Sequence, residues 1–278
     1  LHPHIVNAVK SQIERVTLTS RAFHNDKMGP FLKKLCEYTG YEMALPMNSG
    51  VEAVETAIKA ARRWGVEKRG IKNGRQSIIC ANGNFHGRTL SAVSMSSDPD
   101  SYINYGPYVP GFIKIPFGDA KAVSDAIDEN TVAVLVEPIQ GEAGVYVPED
   151  GYLKKAYELC KAKNVLFIAD EVQTGIARTG KMLACDHEGV RPDILILGKA
   201  LSGGTMPVSA VLADDDIMLC IKPGEHGSTF GGNPVACKVA IAALEVVKEE
   251  KLMEKSEALG KIFRDEMRNV KSEMIELV

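Results

Sequence analysis

One theme repeats along most of this chain: a short apolar run, a break at Gly, Pro, Asn or Asp, then an amphipathic stretch. The pattern predicts strands over 77–81, 111–116, 132–137, 165–170, 193–198 and 208–213. Helices are expected over 51–64, 120–128, 152–163, 234–251 and from 254 to about 272. Runs such as Val165-Leu166-Phe167-Ile168-Ala169 are apolar at every position, so both faces of the strand must be buried. Strands of that kind separated by helices specify an α/β fold, with a parallel or mostly parallel sheet covered on both faces. Pro234 suits the first turn of its helix, where a missing N–H costs nothing.

The 278 residues suffice for an ample core. A net charge of −3 gives no electrostatic reason to expect nucleic acid or an anionic membrane as partner. No apolar run approaches the roughly 20 residues of a membrane helix. The six cysteines are scattered without a CxxC pair, and the six histidines lack metal-ligand spacing. We therefore expect free thiols, no metal site and a reducing compartment, the cytoplasm or a mitochondrial matrix. Leu1-His2-Pro3-His4 has neither a signal pattern nor an initiator Met, and Glu273-Met274-Ile275-Glu276-Leu277-Val278 reads as the beginning of a strand. The chain is expected to be the inner part of a longer one.

Chemistry concentrates at strand ends. Lys199 follows Asp193-Ile194-Leu195-Ile196-Leu197-Gly198, where desolvation would lower the amine pKa and make it nucleophilic toward carbonyls. The competing expectation is a lysine that snorkels to water. Asp170 ends a second run, where open α/β sheets place their ligands. A lysine able to form a Schiff base and an acid suited to a pyridinium nitrogen are the minimal set for pyridoxal phosphate chemistry. Asn48-Ser49-Gly50-Val51-Glu52 opens a helix and suits a phosphate, although Ser49 and Glu52 equally fit a capping box. Gly227-Ser228-Thr229-Phe230-Gly231-Gly232-Asn233-Pro234 is a second Gly-rich loop before a helix, suited to phosphate or to a plain turn. In Phe85-His86-Gly87-Arg88 either ring could stack on an aromatic cofactor, and Arg88 could hold a carboxylate. Glu137 and Glu142 lie beyond another strand end, as an acid/base or gating pair or as solvated loop charges. The segment 175–182 imitates a P-loop but has Met182 where Ser or Thr must hold magnesium, so ATP binding there is rejected.

Taken together, these stretches resemble the class III, pyridoxal-phosphate-dependent aminotransferases of fold type I, most closely their ornithine branch. The resemblance rests on Thr17-Leu18-Thr19-Ser20-Arg21-Ala22-Phe23, Met47-Asn48-Ser49-Gly50-Val51-Glu52-Ala53, Asn84-Phe85-His86-Gly87-Arg88-Thr89, Glu137-Pro138-Ile139-Gln140-Gly141-Glu142-Ala143-Gly144, Ala169-Asp170-Glu171-Val172-Gln173-Thr174-Gly175 and Leu197-Gly198-Lys199-Ala200-Leu201-Ser202-Gly203-Gly204, with the loop 226–234. It implies that Lys199 carries the cofactor and shuttles a proton, while Asp170 pairs with the ring nitrogen. Gln173 is implied for the ring oxygen, Val172 and Phe85 for the two ring faces, and Gly50 and Val51 for the phosphate. Thr229 is implied to reach the phosphate of the neighbouring subunit in a homodimer. Arg88 resembles a substrate-carboxylate ligand, and Glu142 the acid that masks an arginine of a small domain. Residues 1–250 would be the large cofactor-binding domain, and 251–278 a helix and the start of a largely absent smaller domain. The reaction implied transfers the terminal amino group of ornithine to 2-oxoglutarate. Acetylornithine or 4-aminobutyrate transamination, a racemase or aminomutase on this fold, and a nucleotide-binding module are the alternatives.

Overall fold

The structure, a computed structural model, describes residues 1–20, 22–275 and 277–278. Its strands are β1 (Met43–Met47), β2 (Ser77–Ala81), β3 (Phe112–Ile115), β4 (Thr131–Val136), β5 (Leu166–Asp170), β6 (Ile194–Leu197) and β7 (Ser209–Ala213). The helices are α1 (Pro3–Ile13), α2 (Met28–Thr39), α3 (Gly50–Glu67), α4 (Leu90–Met95), α5 (Pro99–Tyr102), α6 (Ala120–Ala126), α7 (Tyr152–Ala162), α8 (Asp215–Met218), α9 (Pro234–Glu249) and α10 (Leu252–Asn269). The sheet order is β1-β7-β6-β5-β4-β2-β3. Five strands, β6 to β3 in that order, run parallel, while β7 and β1 are antiparallel to their neighbours.

Alternation along the strands builds the layers. In β5, Leu166 and Ile168 pack toward α3, while Phe167 and Ala169 pack toward α7. In β6, Ile194 and Ile196 join the α3 layer, and Leu195 and Leu197 face α2 and α9. Every residue of β4, β5 and β6 is buried. The continuous apolar runs arise because two helical layers claim the two parities of each strand.

All six expected strands form, with ends displaced by a residue or so. The sequence reading missed β1, whose Pro46 argues against a strand interior; β1 lies at the sheet edge, opposite Ala210 of β7, where proline is tolerated. It also missed α1 and α2, which bury only Ile5, Ala8 and Gln12, and Phe31 and Leu35, and so give a weak periodic signal. The expected terminal strand is not seen among the described residues: Glu273 and Met274 make an exposed turn. Arg21 of the 17–23 stretch and Glu276 of the terminal one lie outside the described residues. In α10 no residue is buried, and Leu259, Ile262 and Phe263 stand exposed.

Candidate active site

The carboxyl ends of the parallel strands open onto a cavity of about 360 Å³. Its lining includes Gly50, Val51, Phe85, Asp170, Val172, Gln173, Lys199 and Glu142, eight of the ten residues to which the family resemblance assigns a role. They arrive on several different strand connections, which is why groups far apart in sequence are adjacent in space.

Asp170 is the last residue of β5 and shares the parity of Ile168, so its carboxylate turns toward the α3 layer. It is 5% exposed, and its Oδ2 lies 2.7 Å from His86 Nδ1. Oδ1 accepts the Val172 N–H at 3.2 Å, which fixes the chain just beyond the strand. Burial works against a charged His86; the bond to Asp170 and the attraction of Asp170 and Glu137 outweigh it and raise its pKa above the ordinary value. Nε2 of His86 is buried without a partner. Glu171, with the opposite parity, points away from the cavity. Its carboxylate accepts the Thr174 hydroxyl and the Ala184 and Cys185 N–H groups at 2.7 to 2.8 Å, pinning the return loop.

At the other end of the cavity α3 begins. Ser49 Oγ accepts the Glu52 N–H and Glu52 accepts the Ser49 N–H, so the capping box is real. The first N–H groups of a helix lack intrahelical acceptors, and Gly50 and Val51 carry theirs at the cavity wall. A Cβ on Gly50 would sit 2.9 Å from Val172 Cγ1, so only glycine lets the helix start come this close to β5. Gly87, at φ +113°, likewise packs where a side chain would strike Val51.

Of the two expectations for Lys199, the structure fits the lysine that reaches water. The strand before it is fully buried, but its own side chain is 46% exposed. Nζ lies 3.8 Å from Glu142 Oε1, and Glu142 also accepts from Gln173 Nε2 at 3.3 Å. Its backbone is unusual instead: φ is +38°, left-handed at a residue with a Cβ, a strain that concentrates at functional sites.

Two expected residues stand outside the cavity. Arg88 is exposed, its guanidinium 5.8 Å from the centre of the Phe85 ring. Thr229 is exposed and lines a small separate crevice with Leu18, Thr19, Ser20 and Phe23. The loop bearing it is nonetheless tied to the start of α3, through Asn48 Nδ2 donating to Ser228 Oγ at 2.7 Å. Glu137 and Glu142 do not behave as a pair, since Glu137 is buried and Glu142 exposed. The near-P-loop is a chain of turns closed by Ile176 N–H donating to the Met182 carbonyl, with Ile176 and Ala177 at positive φ and no α-helix opening from it. Sequence reasoning missed His86 as the partner of Asp170. A ring in a loop gave no signal to choose that bond over stacking.

The class III aminotransferase family matches residues 1–278. The ornithine aminotransferase of Oceanobacillus iheyensis is 58% identical over 277 residues, covering 100% of this chain and 70% of that protein. The mitochondrial ornithine aminotransferase of Rattus norvegicus is also 58% identical, covering 100% of this chain and 63% of its own length. Among solved structures, the ornithine aminotransferase of Toxoplasma gondii ME49 superposes with a TM-score of 0.97 at 51% identity, over 99% of this chain and 66% of that one. A second Toxoplasma gondii structure, at 52% identity and a TM-score of 0.95 over 96% of this chain and 64% of that one, is described with partial occupancy of PLP at its active site. The acetylornithine aminotransferase of Elizabethkingia anophelis gives 0.86 at 54% identity, over 96% and 64%. This chain thus spans about two-thirds of the length of these relatives. With the strand-end cavity in place and the family matched from first residue to last, the chain belongs to the class III aminotransferases.

Proposed function

We propose that the chain is the cofactor-binding body of an ornithine 5-aminotransferase, which moves the terminal amino group of ornithine to 2-oxoglutarate. The observation that carries this reading is one cavity holding the Lys199 amine, the Asp170 carboxylate and the start of α3. These residues fit pyridoxal phosphate. The Gly50 and Val51 N–H groups suit its phosphate, Asp170 a protonated ring nitrogen, and Gln173 the ring oxygen. Val172 and Phe85 offer apolar contact, and Lys199 the amine that would hold the carbonyl. Bound there, the group would supply a carbonyl for amine exchange and a ring that withdraws electrons from the reacting carbon. Lys199 would take the proton from that carbon and return it, a role its accessible side chain permits. Asp170, held by His86, keeps a negative charge available where the ring nitrogen binds. Arg88 would meet a substrate carboxylate, and Glu142 would mask a positive charge during one half-reaction.

We further place Thr229 at the cofactor phosphate of a second copy. Supporting this are its position outside its own cavity and the exposed Phe23 and Phe230 around it. Thr229→Ala should then weaken pyridoxal phosphate retention several-fold in a dimer. Six free thiols support a reducing compartment, the cytoplasm or a mitochondrial matrix. Residues 1–250 would form the large domain, and α10 would lead toward a smaller one.

Relatives named ornithine aminotransferase at 54–58% identity support the donor. The acetylornithine enzyme at 54% identity keeps a second donor in play. Full-length protein loaded with pyridoxal phosphate should form glutamate semialdehyde from ornithine and 2-oxoglutarate. Faster use of N-acetylornithine would reassign the donor, and turnover without 2-oxoglutarate would exclude transamination.

A further inference from the structure

Glu137 follows β4 directly and is 6% exposed. Its Oε2 accepts the Phe85 N–H at 2.9 Å, and its side chain lines the cavity beside His86 and Asp170. Oε2 thus has a backbone partner on the loop that carries His86. A carboxyl this buried is costly to the fold unless paired, and its place in the cavity wall gives it a task there.

We propose that Glu137 is a positioning residue for the ring end of the cofactor: it anchors the Phe85 backbone and, when charged, holds His86 as the cationic donor to Asp170. This rests on the pyridoxal phosphate reading above. Phe85 and His86 are consecutive, so a carboxylate bonded to the Phe85 backbone also acts on the histidine behind Asp170. The charged groups acting on Glu137 are His86, Asp170 and Lys199. Burial, the largest influence, and repulsion from Asp170 push its pKa from 4.5 up to about 7, against His86, the Phe85 N–H and Lys199. With Glu137 neutral, the cavity wall carries the Asp170–His86 pair alone; with Glu137 ionised it gains one negative charge. A cationic ring nitrogen binds better to the second state.

The test is the dissociation constant of pyridoxal phosphate, followed by absorbance from pH ~6 to ~8.5, in full-length wild type and in Glu137→Gln. Glutamine keeps an acceptor for the Phe85 N–H and removes the titration. The ratio of the variant's dissociation constant to wild type's should rise about threefold to tenfold across neutral pH, the size of one charge interaction in a partly screened site. Glu137→Ala, which also loses the backbone anchor, should bind more weakly at every pH. Superimposable curves for wild type and Glu137→Gln would overturn the proposal. A wild type that binds no pyridoxal phosphate would instead sink the cofactor reading.

Thermal unfolding without cofactor gives an independent measurement. The unfolded chain releases the Glu137 proton near its ordinary 4.5, while the folded one keeps it until about 7. Between those values the folded state binds more protons, so stability falls as pH rises and then levels off. His86, raised in the fold, adds stability at low pH that is likewise lost as pH rises through its folded value. Glu137→Gln should flatten this decline, and an unchanged slope would count against a buried titrating Glu137.

Discussion

The inner wall and the rim of the cavity are built on opposite principles. On the wall, Asp170, His86 and Glu137 are each less than a tenth exposed, and each has a specific hydrogen-bond partner. On the rim and just outside it, Lys199, Glu142, Arg88 and Thr229 are exposed, and the one ion pair among them is a 3.8 Å approach. Wall charges are fixed before any ligand arrives, which removes reorganisation cost at the moment of reaction. Rim groups keep their rotamer freedom and take their working geometry from a ligand, a second copy or a further part of the protein. Fixed groups should set rates and the hold on the cofactor ring, and free groups should set substrate choice and the hold on the phosphate.

The sharpest break of this contrast would come from Lys199, the rim residue assigned to chemistry. Lys199→Ala should lower kcat by about 10²- to 10⁴-fold or more, the range for a lost proton-transfer group, and abolish borohydride-trapped label at this position. A pyridoxyl label found on another lysine would remove Lys199 from its role. Next, Asp170→Asn keeps the shape and removes a buried charge. It should cost about 10²- to 10³-fold, mainly in kcat, as expected for an interaction that strengthens in the transition state. Near-normal kcat would make the wall a matter of folding only.

Glu171→Ala separates the fold from the chemistry. It strips acceptors from a hydroxyl and two backbone N–H groups, each costing about 1–3 kcal/mol when left unsatisfied. A large drop in melting temperature is expected, and retained stability would mean the return loop is held by other contacts. The smallest effect belongs to Glu142→Ala. Single-turnover kinetics should show a shift toward the glutamate half-reaction, with little change in stability, because this carboxylate is half-exposed. Equal changes in both half-reactions would leave Glu142 as an ordinary rim acid.

The sequence disclosed the wall better than the rim. Asp170 and Glu137 are legible because each comes straight after an apolar run, 166–169 and 132–136, and the carboxyl end of such strands is where ligands meet the sheet. Lys199 is legible as a position but not as an environment: the buried run stops at Gly198, and a positive φ carries the next side chain outward. The His86–Asp170 bond joins residues 84 positions apart, and nothing local to either one encodes it. Edge strand β1 is hidden by Pro46, whose missing donor matters only in a strand with neighbours on both sides. Arg88 and Thr229 draw their expected roles from family likeness, and their surroundings within one chain neither complete nor contradict them.

The adjacent acids at the end of β5 have a consequence for how this segment can change. Asp170 and Glu171 are chemically near-equivalent, and strand parity alone sends one to the cavity and the other to the return loop. A one-residue insertion or deletion inside β5 would leave both acids in the text of the chain yet exchange their destinations. The longer Glu171 would enter the cavity opposite His86, and Asp170, a methylene shorter, would have to span to Ala184 and Cys185. Substitutions along β5 can therefore be repaired one at a time, whereas a shift in length fails in two places at once.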